Sequence, residues 1–102
     1  MIRLLNESGF SETTIQAVWE KATIVIGKDS NKIRKDANGA WIYRNKYGDT
    51  SSTINNGWEI DHIKPKSKGG SDALSNLQPL QWANNRSKSD DYPNWVYNIT
   101  AA

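Results

Sequence analysis

Apolar residues define the first element. Ile15, Val18, Trp19, Ala22 and Val25 recur at helical spacing and mark one face, which predicts an amphipathic helix over Ser11–Ile26. Ser11 is placed to cap its start, Phe10 and Ile15 stand where a hydrophobic staple would, and Gly27 is its expected stop. The polar faces of this helix carry no recognisable chemistry.

The next stretch, "GKDSNKIRKDANGA", is polar, basic and turn-rich. Its Asn38-Gly39 pair is a strong turn signal. Two β segments are expected beyond it, at Trp41–Arg44 and Trp58–Ile63, separated by a loop of Gly, Asn, Ser and Thr. Lys64–Ser75 reads as a second loop, punctuated by Pro65 and Gly69-Gly70. Leu77–Leu80 is apolar enough for a short strand, and Pro79 implies an edge position. Trp82–Ser89 reads as a short helix ended by Tyr92-Pro93, after which a tail would pack Trp95 and Tyr97. The order of elements predicts a small α+β protein, one domain over residues 1–102.

Composition narrows the chemistry. The chain has 102 residues, five tryptophans, four tyrosines, one histidine and no cysteine. Large rings give a small core buried area. The lack of cysteine excludes a disulfide framework and a thiolate zinc site. With a single imidazole, a zinc site of several imidazoles is excluded too, and any metal must be held mostly by oxygen, which favours magnesium, manganese or calcium. There is no long apolar run and no signal-peptide pattern, so a cytoplasmic protein away from membranes is expected. Net charge is only +2. The bases nevertheless gather between Lys28 and Lys46 and again at Lys64, Lys66 and Lys68, so a polyanion could meet one basic side.

The candidate chemistry lies between Trp58 and Lys88, where Asp61 directly precedes His62. Asp61 offers hard oxygen to a cation. An imidazole can take a proton from water near neutral pH. Neighbours on a regular strand point to opposite faces, so the strand must end or twist at this pair if both serve one site. Asn85, on the predicted helix, could supply a second oxygen ligand, with the adjacent Asn84 as its competitor for that position. Asn76 could orient His62 through its side chain or its backbone carbonyl. Glu59 shares a strand face with Asp61 and could support the metal shell, or serve only as a partner for a surface base.

The segment "DHIKPKSKGGSDALSNLQPLQWANNRSK" resembles the HNH nuclease motif: Asp-His, a Gly-Gly loop, Asn-Leu-Gln, then a helix with Asn-x-x-Lys. With the preceding "GWEI" it looks like the ββα-metal unit of that superfamily, at about residues 58–90, behind a helical part at about 11–26. The resemblance implies that His62 is the general base, Asp61 and Asn85 hold one divalent cation, and Asn76 positions the base. It also implies that Lys88 faces the DNA backbone. By charge alone, Lys64, Lys66, Lys68 and Arg44 are further candidate nucleic-acid contacts, and Arg86 either contacts phosphate or only decorates its helix. Asn rather than His at the third position, and the missing cysteine pairs, argue against zinc. Trp58, Trp82 and their apolar neighbours would then brace the unit. The implied activity is metal-dependent hydrolysis of DNA, or of RNA. Specificity is expected to be weak or supplied by a partner. The rival readings are a non-catalytic nucleic-acid-binding module and a toxin domain neutralised by an inhibitor protein.

Overall fold

The computed structural model describes residues 9–95. The fold is α+β. Helix α1 spans Glu12–Trp19, and strands β1 (Thr23–Ile24), β2 (Ile33–Lys35) and β3 (Trp41–Tyr43) form an antiparallel meander. Strands β4 (Trp58–His62) and β5 (Leu77–Gln81) form an antiparallel pair, which runs straight into helix α2 (Trp82–Lys88).

Helix α1 starts as its sequence dictates. Ser11 is extended, and its Oγ accepts from Thr14 N at 3.1 Å, satisfying one of the helix's free N–H groups. The helix buries Ile15, Val18 and Trp19, and Phe10 packs against the same cluster. It ends well before the expected Gly27. Lys21 N and Ala22 N donate to Val18 O and Trp19 O, tightening the last turn. The β-branched run that follows prefers an extended backbone, and Thr23 and Ile24 pair with Lys35 and Arg34. Arg34 completes the stop, with its Nη1 donating to Glu20 O at 3.1 Å and Ala22 O at 3.2 Å.

Strand β2 is the second departure, since "GKDSNKIRKDANGA" was expected to be a connection only. The Asn38-Gly39 turn is present and joins β2 to β3. Asp36 organises it by accepting from Asn38 N and Ala40 N through Oδ1. The β segment expected at Trp41–Arg44 ends at Tyr43 and passes into a 3-10 turn over Arg44–Lys46.

The ββα part follows the predicted order. In a two-stranded sheet each strand is an edge, so Pro79 opposite Ile60 is tolerated without a ladder N–H. Gln81 ends β5 and caps α2, its Oε1 accepting from Ala83 N at 2.8 Å and Asn84 N at 3.0 Å. The core joins α1, β3, β4 and β5 through Ile15, Val18, Trp19, Ile42, Trp58, Ile60 and Leu77. Trp58 lies at its centre, with ring centroids 5.4 Å from Trp19 and 4.9 Å from Tyr47. Trp19 Nε1 donates to Ser30 O, so this buried indole keeps a partner. Trp95 is half-buried; Tyr97 lies outside the described residues.

Candidate active site

Side chains alternate along β4. Trp58 and Ile60 enter the core, while Glu59 and Asp61 turn toward α2. His62 is the last residue of the strand. That ending brings Asp61 and His62 to one cleft of about 310 Å³, which Asn85 of α2 also lines. Pro65, Lys66 and Ser67 form the loop side of the same cleft.

Asp61 is 4% exposed. Its Oδ2 accepts from Gln78 Nε2 at 2.9 Å, directly across the β4–β5 register, and its Oδ1 lies 3.3 Å from Lys88 Nζ. Burial raises its pKa above the usual aspartate value, while Gln78 and Lys88 pull it back. Asn85 Nδ2 donates to Glu59 Oε1 at 2.9 Å. The amide nitrogen is thereby committed, and the oxygen is the atom left to offer a ligand. The adjacent Asn84 is fully buried and donates to Asp36 Oδ2, so of the two asparagines only Asn85 reaches the cleft.

Asn76 makes no hydrogen bond to His62. Its Oδ1 accepts from Lys64 N at 2.8 Å, and its Nδ2 donates to Lys64 O and Ser71 O. Its backbone carbonyl accepts from Ile63 N. Asn76 therefore clamps the two ends of the Lys64–Ser75 loop. Gly70 belongs to the same closure, because a Cβ there would overlap Lys64 O. The partner of His62 is Asp72, whose Oδ1 is 2.7 Å from Nε2. That hydrogen bond is the main cause holding the Asp72 carboxyl below its usual pKa. Nothing in the sequence marks Asp72, since its approach depends on how the clamped loop folds back.

The basic residues separate into two groups. Lys88 is 4% exposed and bonds inward, to Asp61 and to His62 O at 3.0 Å. This corrects its expected place on the DNA backbone. An Asn-x-x-Lys spacing on a helix sets residues 85 and 88 on one side, and here that side faces the sheet. Arg44 is tied to α1 through Gln16 Oε1 and Glu12 and does not line the cleft. Arg86 is exposed but pairs with Glu59 at 2.8 Å and lies over the Trp82 ring. Lys64, Lys66 and Lys68 remain exposed on the loop. Of these, Lys66 Nζ is 3.5 Å from Asp72, and Lys68 Nζ donates weakly to Tyr92 O.

Residues 48–91 match the family model described as HNH endonuclease. Over these 44 of its 102 residues the chain is similar to HNH endonucleases. The match covers β4, β5 and α2, and with them every residue lining the cleft. No curated protein and no solved structure matches the chain. HNH domains are nuclease domains that generally bind a divalent metal. Among the described residues no group of three or more His, Cys, Asp or Glu side chains could hold a metal ion. The donors that do line this cleft are a carboxylate and a carboxamide beside one imidazole. Such a set fits a hard cation that keeps most of its coordination sphere for water.

Proposed function

We propose that this protein is a divalent-metal-dependent endonuclease that hydrolyses DNA phosphodiester bonds. Magnesium or manganese is the expected cation. The observation that carries the reading is the convergence of Asp61, His62 and Asn85, from a strand end and a helix, on one polar cleft. Asp61 and Asn85 would supply the two protein ligands. A bound cation there would neutralise the charge that builds on the phosphate and on the leaving 3′ oxygen. His62 removes the proton from the attacking water. Glu59 keeps the Asn85 amide nitrogen engaged, so that the oxygen faces the site. Lys64, Lys66 and Lys68 would attract the backbone without reading bases. One base and one cation cut one strand per encounter.

The test is a supercoiled plasmid incubated with magnesium or manganese, with and without EDTA, using wild type and His62→Ala. Wild type is expected to nick it only with the metal. The variant should lose on the order of 100-fold or more in rate. A plasmid that stays intact while the protein still retards DNA on a gel would make this a binding module instead.

A further inference from the structure

We infer that Asp72 is the positioning residue that orients His62 and decides which imidazole nitrogen faces the attacking water. The inference rests on the nuclease reading above. A carboxylate can only accept, so the 2.7 Å contact requires the hydrogen on His62 Nε2. In the neutral ring Nδ1 is then the bare nitrogen, and only a bare nitrogen can take a proton. Without an acceptor at Nε2 the ring is free to rotate and to exchange its tautomers, and a general base works well only when both are fixed.

The surroundings fit this role. Asn76, the other residue placed to orient the ring, has its side-chain oxygen committed to Lys64 N and its carbonyl to Ile63 N. The Phe10 ring stands 6.0 Å from the imidazole, tilted 40° to it. Lys66 Nζ, 3.5 Å from the same Asp72 oxygen, restrains the carboxylate. The Asn76 clamp and the bond from Gly70 N to Pro65 O fix the loop that presents it. Asp72 itself is exposed, so its substitution leaves the core intact.

The chain has one histidine, so histidine-selective ¹⁵N labelling reports on His62 alone. In wild type an Nε2–H resonance, shifted downfield and slow to exchange, is expected beside an unprotonated Nδ1. Asp72→Ala should lose that resonance while its backbone amide spectrum stays that of the folded protein. On a short duplex substrate the variant should lose about 10–100-fold in kcat, with KM within about twofold of wild type. The inference is overturned if the Nε2–H signal is absent from wild type or persists in Asp72→Ala, or if the variant keeps wild-type kcat. If wild type does not cut DNA at all, the nuclease reading fails instead. The resonance then still decides whether Asp72 holds the ring.

Discussion

Lys88→Met separates the inward-facing lysine from a DNA-facing one. Lys88 and Asp61 are both almost fully buried, with nitrogen and oxygen 3.3 Å apart. Methionine keeps most of the aliphatic stem, so little packing is lost. The charge on Asp61, however, is left without its cation. Removing one partner of a buried ion pair costs about 3–5 kcal/mol, because the remaining charge stays desolvated. Total stability for a domain of this size is about 5–15 kcal/mol. Each kcal/mol moves Tm by about 4–8 °C, so the melting temperature should fall by roughly 12–40 °C. The assay is thermal unfolding followed by tryptophan fluorescence and circular dichroism at neutral pH. Asp61→Asn added to Lys88→Met removes both charges and should recover most of the loss, since a buried pair as a whole contributes little net stability. A phosphate contact behaves otherwise. Its removal would leave Tm unchanged and lower the slope of log affinity against log salt by about one. A Lys88→Met protein that melts within about 2 °C of wild type would refute the burial argument.

Asn76→Ala removes three side-chain hydrogen bonds that close the Lys64–Ser75 loop. It should cost about 1–3 kcal/mol in urea denaturation and disturb the His62 ring resonance. Gly70→Ala places a Cβ on Lys64 O, so the loop must open; the expected result is nuclease activity reduced by more than Tm alone explains. Asp36→Ala strips the acceptor from four donors, among them Gln81 N and Asn84 Nδ2. It should destabilise the fold by at least about 3 kcal/mol in the same denaturation assay.

The residues that meet in the cleft were legible because the Asp61-His62 pair and the Asn85-x-x-Lys88 spacing are local signals on elements the hydrophobic pattern already placed. Partners across the fold were not. Asp72 finds His62 only after the loop folds back, and Asn84 finds Asp36 only when the meander packs against α2. The helix was read too long because Ala22 and Val25 extend its period, although the β-branched residues around them pair with β2. Strand β2 carries no apolar alternation that would mark it, because its central residue is Arg34, a charged side chain that is 8% exposed with its donors on backbone carbonyls.

Those same buried polar groups explain how a chain without cysteine fastens a ββα unit. Rings fill the centre, but rings alone do not fix a register or the start of a helix. Asp36 sits 2% exposed at the seam, with Oδ1 holding the β2–β3 turn and Oδ2 holding Gln81 N and Asn84 Nδ2. One carboxylate thus joins the meander to the strand–helix junction, close to where Gln81 caps α2. Asp61 and Lys88 join the far end of α2 to the end of β4. With both ends of a seven-residue helix fastened, Asn85 between them has little freedom to move relative to Asp61. The placement of the two proposed ligands is therefore set by charged groups on either side of the site.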